Sequence, residues 1–213
     1  MVERKEYLEQ LWEWKDEHII KVVTGIRRCG KSVLLEQFKD RLHLAGVEAE
    51  QIISINFEDL EFEELLDYKV LYRYIKERLC SDKMTYIFLD EIQNVPDFPK
   101  VVDSLYVKSN TDVYITGSNS YLLSSELATL LSGRYVEISM LPLSFREYVT
   151  VTGRPQEDAF SEYMQTGGLP YVAVMNRTDE KVTTTPLLLK ILRNARQEKK
   201  KMQVNVKSQI LHY

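Results

Sequence analysis

Gly25-Ile-Arg-Arg-Cys-Gly30-Lys31-Ser32 decides how this chain is read. The spacing is G-x-x-x-x-G-K-[ST], and its surroundings are those that the motif requires. Ile19 to Thr24 is a short β-branched run, the pattern of a buried strand. From Lys31 the apolar positions become helical, with Leu34, Leu35, Phe38 and Leu42 on one face up to about Gly46. A glycine-rich turn between a strand and a helix lets backbone N–H groups point inward, and the helix N-terminus adds a dipole that favours anions. The backbone from Gly25 through Ile26, Arg27, Arg28, Cys29, Gly30, Lys31 and Ser32 to Val33 is therefore expected to cradle phosphates. Lys31 would reach the β- and γ-phosphates, and the Ser32 hydroxyl would ligate Mg²⁺. Arg27 and Arg28 read either as phosphate contacts or as solvated loop arginines, and Cys29 as a small filler rather than a reactive thiol near positive charge.

Outward from this loop, strands and helices alternate. Gln51–Phe57, Met84–Leu89, Asp112–Thr116 and Tyr135–Met140 read as further strands. Helices are expected over 3–18, 71–79, 98–109 and about 120–132. Such alternation predicts an α/β domain, with a parallel sheet covered on both faces. Pro142 begins a change of character, so the core is expected to occupy residues 1–141.

A phosphate cradle that hydrolyses needs a carboxylate near the metal and a group that activates water. Asp90 and Glu91 close the most apolar strand, at the edge where ligands of open α/β sheets bind. Asp90 is read as the Walker-B acid that holds Mg²⁺ and Glu91 as the general base. Thr116-Gly-Ser-Asn-Ser120 ends the neighbouring strand. Asn119, with Ser118 in reserve, reads as a sensor of the γ-phosphate or as a helix cap. Arg134 precedes the last strand and reads as an arginine finger or as an exposed strand-start residue.

The chain has 213 residues, 44% of them hydrophobic, and a net charge of −4. That is enough to bury a core, and it offers no global basic signal for nucleic acid. The N-terminus lacks an apolar signal region, and no run reaches membrane-spanning length. Cys29 and Cys80 suit thiols rather than a disulfide framework. The expectation is a cytoplasmic, soluble protein.

Together the motifs resemble a bacterial and archaeal family of AAA+-like P-loop ATPases, related to the archaeal-ATPase and STAND groups. The matching pieces are the 25–32 loop, Asn56-Phe-Glu-Asp59, Phe88-Leu-Asp-Glu-Ile-Gln93, Thr116-Gly-Ser118, Leu131-Ser-Gly-Arg134 and Leu141-Pro-Leu-Ser-Phe-Arg-Glu-Tyr148. The resemblance implies a five-stranded parallel sheet in the order 5-1-4-3-2 and strengthens Arg134 as a finger, in cis or in trans. It makes 142–182 the start of a small helical lid. There Gly167-Gly-Leu-Pro170 would place Pro170 against the adenine. It also implies a further C-terminal domain, which this chain stops short of.

The leading functional reading is Mg²⁺-dependent ATP hydrolysis that drives a conformational change in a partner or attached domain. The alternatives are a nucleotide-gated switch with little hydrolysis, a small-molecule kinase or an inactive fragment. A homo-oligomer, a protein client and nucleic acid are open as partners. After about Lys181 the family pattern stops. A one-base shift of the codons that relatives use here would read Thr-Pro-Leu-Leu-Leu-Lys-Ile-Leu, the sequence of Thr185–Leu192. The tail 183–213 is therefore expected to be frameshifted and poorly packed. The other reading is a divergent basic helix with Leu188, Ile191, Leu192 and Ala195 on one face.

Overall fold

Period-two alternation sorts the strand residues into an aliphatic set and an aromatic set, and the two sets face different helical layers. In the computed structural model the described residues are 2–118, 131, 133–166 and 168–175. The chain divides into two compact units. One is Glu3–Gly25 with Lys31–Met140, and the other gathers Ile26–Gly30 and Leu141 onward.

The first unit runs α1 (Lys5–Glu13), β1 (Ile20–Gly25), α2 (Lys31–Leu44), β2 (Ile52–Asn56), α3 (Tyr68–Lys76), β3 (Thr85–Asp90), α4 (Phe98–Tyr106), β4 (Thr111–Ser118) and β5 (Tyr135–Met140). The sheet is parallel, in the order β2-β3-β4-β1-β5. This is the 5-1-4-3-2 order that the resemblance implies. The connections β2→α3→β3→α4→β4 all step in one direction, while β1→α2→β2 steps back. Right-handed crossovers therefore put α3 and α4 on one face and α2 on the other. Accordingly α3 packs on α4, and α1 on α2.

Under α3 and α4 lies the aliphatic set: Ile53 and Ile55, Ile87 and Leu89, Val113 and Ile115, all buried. The opposite face carries rings. Phe88 stacks on Tyr114 at 4.7 Å between centroids. Phe38 of α2 sits 5.3 Å from Tyr114 and 6.2 Å from Trp12 of α1.

Two helices differ from their expected spans for local reasons. α3 starts at Tyr68 rather than Leu71, because the Asp67 side chain accepts the N–H groups of Lys69 and Val70 and so caps it earlier. α1 ends at Glu13 rather than near residue 18. The chain instead turns through Asp16, whose φ of 63° is left-handed and whose N–H donates to Asp112 Oδ2 at 2.9 Å.

That bond belongs to a buried cluster at the N-terminal end of the sheet. Lys21, wholly buried on β1, is ion-paired with Asp112 of β4, and its ammonium also donates to the Glu17 carbonyl at 2.8 Å. Tyr114 donates to Asp112 at 2.9 Å, and Tyr86 donates to Asp16 at 2.7 Å. Burial pushes the Asp112 carboxyl up and the Lys21 ammonium down, and their mutual attraction opposes both shifts.

In the second unit are α5 (Phe145–Thr152), α6 (Gln156–Thr166) and α7 (Pro170–Met175). Ser144 and Glu147 form a capping box at the start of α5, and Gly153 ends it with φ 65°. Leu143, Tyr148, Ala159 and Ala173 form the core of this unit. The expected helix at 120–132, apart from Leu131, and the tail 183–213 lie outside the described residues. Among the described residues, no helix is long and apolar enough to cross a membrane.

Candidate functional site

Parallel register brings the C-terminal ends of the strands to one edge. Gly25 pairs with Ser118 on one side and Met140 on the other, and Asn56 pairs with Asp90. Beyond Gly25 the loop turns through a Cys29 N–H to Ile26 carbonyl bond of 3.1 Å. Arg28 at φ 68° and Gly30 at φ 104° both have left-handed backbone. For a non-glycine residue such a conformation is costly and persists where the surroundings impose it. Cys29 is fully buried, as expected of a filler. The Arg28 guanidinium lies 5.9 Å from the Tyr171 ring centroid, and Tyr171 follows Pro170, the first residue of α7.

Lys31 opens α2 and is 3% exposed. Its ammonium lies 3.3 Å from Glu91 Oε1 and 3.5 Å from the Gly25 carbonyl. Asp90, the last residue of β3, is buried and accepts hydrogen bonds from the hydroxyls of Ser32 and Thr116. Burial raises its carboxyl above the usual aspartate range, and the two hydroxyls partly offset that. Thr116 also accepts the Glu91 N–H at 2.9 Å. One hydroxyl on β4 thus joins both acidic residues. Glu91 itself is left-handed, with φ 54° and ψ 45°. Its other oxygen, Oε2, accepts the Gln93 side-chain N–H at 2.6 Å.

Lys31, Ser32, Asp90 and Glu91 therefore meet, as their motifs predict. Arg134 does not join them. It precedes Tyr135, which pairs with Ile20, and its carbonyl accepts the Ile20 N–H at 2.9 Å. That is the N-terminal edge of the sheet. The length of β1, about 17 Å for a six-residue strand, separates it from Gly25. There Arg134 is ion-paired with Asp103, and its guanidinium lies 5.6 Å from the Tyr106 ring centroid. Asn119 lies outside the described residues. Two contributors were not singled out from the sequence, Thr116 and Gln93. Both stand inside quoted motifs, but only the register of β3 against β4 puts the Thr116 hydroxyl beside Asp90.

These residues suit a hard divalent cation and a polyphosphate. Magnesium takes one or two carboxylates and fills its other positions with water and phosphate oxygen. Asp90 and Ser32 offer that donor set, and a buried carboxylate held above its ordinary range gains from a cation. The loop with its left-handed turns and the Lys31 ammonium at the helix start are what a bound phosphate chain needs.

Residues 17–149, well over half of the chain, match the AAA_14 family model, an AAA domain. The chain belongs to this AAA-domain family. Membership makes it a nucleotide-binding domain of the ATPase kind. An uncharacterized protein of Haemophilus influenzae is 46% identical over 180 residues, covering 82% of this chain and 45% of that one. A second, from Methanocaldococcus jannaschii, is 33% identical over 174 residues, covering 74% and 37%. The chain spans less than half the length of these curated relatives. Among solved structures, a Walker-type ATPase of Pyrococcus abyssi superposes with a TM-score of 0.61 at 15% identity, covering 100% of this AAA domain chain and 76% of that one. A Cdc6p structure from Pyrobaculum aerophilum gives 0.50 at 16% identity, covering 70% and 48%. At such identities the likeness is one of fold.

Proposed function

We propose that this domain binds ATP with Mg²⁺ and hydrolyses its β–γ phosphoanhydride, and that the cycle moves a partner or attached domain. The observation that carries this reading is the meeting of Lys31 and Ser32, at the start of α2, with Asp90 and Glu91, at the end of β3. Lys31 and the backbone of Gly25–Val33 hold the phosphates. Ser32 and Asp90 are the protein groups that would hold Mg²⁺, which when bound neutralises phosphate charge. Glu91 orients water and takes its proton. Thr116 is a positioning residue that fixes the two acids relative to each other. Asn119 is retained as the sensor and Pro170 as the adenine contact, the latter supported by the position of its neighbour Tyr171 beside Arg28.

Arg134 sits at the far edge of its own sheet, so a finger role requires a second copy of the chain. Specific activity would then rise with protein concentration, and a flat dependence removes Arg134 from the mechanism. Residues 142–182 are proposed as the beginning of the lid, and a cytoplasmic location fits the reading. One feature favours a second reading, a nucleotide-gated switch that hydrolyses little. Both oxygens of Glu91 are engaged, by Lys31 and by Gln93.

Titration calorimetry with Mg-ATP tests the binding claim. Hydrogen bonds to a charged group contribute ~1.5–3 kcal/mol, so Lys31→Ala should weaken ATP by about 10- to 150-fold at that rate. Equal affinity for variant and wild type would end the assignment.

A further inference from the structure

α3 carries Lys69, Tyr72, Arg73 and Lys76 at spacings of three, four and seven, which place them on one stripe. α4 carries Lys100 and Ser104 one turn apart. The crossovers set these two helices side by side, and the stripes line a groove of about 330 Å³ between them. Its walls are anchored, because Val101 of the lining and Leu71, Ile75 and Leu105 of the same two helices are buried in the aliphatic core.

The lining holds four cations and no carboxylate, in a chain whose net charge is −4. Lys100 is shared with Asp97 at 3.2 Å. Among the described residues, Lys69, Arg73 and Lys76 have no carboxylate oxygen within 4.0 Å. Four like charges around one groove repel each other, and an anion relieves that repulsion. The cations are also interleaved with rings. Tyr68 has the Lys100 ammonium 5.1 Å and the Lys69 ammonium 5.7 Å from its centroid. Tyr68 and Tyr72 both pack partly against the core, so holding them in place costs a ligand little.

From this we infer that the α3–α4 groove binds single-stranded nucleic acid, its cations taking phosphates and its tyrosines taking bases. Lys69, Arg73 and Lys76 spread over about 10 Å of helix axis, a row suited to a repeating anion rather than to one phosphate. An acidic peptide would use the cations and leave the rings idle. A duplex would keep its base faces stacked and out of reach of the tyrosines, whereas single strands expose them. The inference stands apart from the ATPase reading, since none of these residues touches Lys31, Asp90 or Glu91.

Fluorescence anisotropy of the full chain with labelled twelve-nucleotide oligo-dT and oligo-rU, between 50 and 200 mM salt, tests it. Single-strand binding loses about 0.7 in log–log slope per phosphate contact. Three or four contacts therefore give a slope of roughly −2 to −3 on that basis. Arg73→Glu with Lys76→Glu should weaken binding at least about tenfold and flatten the slope by roughly 1.4. Tyr72→Leu should weaken it with the slope kept, and Lys83→Glu, outside the groove, should leave it unchanged. Thermal melts of each variant check that the fold persists. Three outcomes would overturn the inference: no salt-dependent binding, a double variant that binds as wild type does, or competition by polyglutamate as effective as that by oligonucleotide at equal charge.

Discussion

One sheet holds two lysine–carboxylate pairs at opposite ends, Lys21–Asp112 and Lys31–Glu91, and they are built differently. At the N-terminal end Asp112 accepts from Lys21, Tyr114 and the Asp16 backbone, and Lys21 also reaches a carbonyl. Everything there has a partner, and both ionic side chains are almost fully buried. At the C-terminal end the contact is 3.3 Å, Glu91 is 12% exposed, and its backbone is left-handed. Beside it, the buried Gln93 side-chain oxygen has no donor among the described residues. A saturated pair holds a structure in place. A longer, partly exposed pair on strained backbone, with an unsatisfied neighbour, is one that a ligand can take apart.

The sharpest way to break this comparison is through Glu91. Glu91→Gln should leave ATP binding nearly intact and slow single-turnover hydrolysis by roughly 10²–10⁴-fold, the usual contribution of a general base. Unchanged turnover would remove Glu91 from the chemistry, and turnover near zero already in wild type would favour the switch. Asp112→Ala should cost about 3–5 kcal/mol in denaturant unfolding, because it strands a buried ammonium. Lys31→Ala in the same measurement should shift stability by less than about 1 kcal/mol, since functional charges are seldom stabilising. Equal losses for the two would erase the contrast.

A smaller effect is expected at Asp90. Burial holds its folded pKa above the ordinary 3.8, so the ionised carboxylate is disfavoured by folding. Stability tied to this carboxyl is full below pH 3.8 and is lost as pH rises through the folded value. Asp90→Asn should therefore raise Tm at pH 7 while weakening Mg²⁺-dependent binding. Calorimetric melts should show the gain fading towards pH 4, and a loss of Tm at pH 7 would contradict the burial argument.

The functional end was far more legible in the sequence than the locked end. Gly25–Ser32 and Asp90-Glu91 are local patterns with local meaning, and the strands that carry them fall within a residue or two of their expected limits. Lys21 sits in a run that reads as plainly apolar, and its partner lies 91 residues away. No spacing rule links two such positions. Thr116 needed the register between β3 and β4, and the basic groove needed the crossovers that lay α3 beside α4. Each α3 cation alone reads as the solvated side of an amphipathic helix. Arg134 shows the converse: a motif can name a residue correctly as an arginine before the last strand without saying which end of the sheet that is.

The aromatic face has an optical consequence. Both tryptophans of the chain, Trp12 and Trp14, lie in or just after α1, and Trp12 meets that face through Phe38. Trp12 has the Arg41 guanidinium 4.4 Å and the Lys15 ammonium 5.5 Å from its ring. Intrinsic emission excited at the indole band is therefore a gauge of how well α1 is seated on the aromatic face.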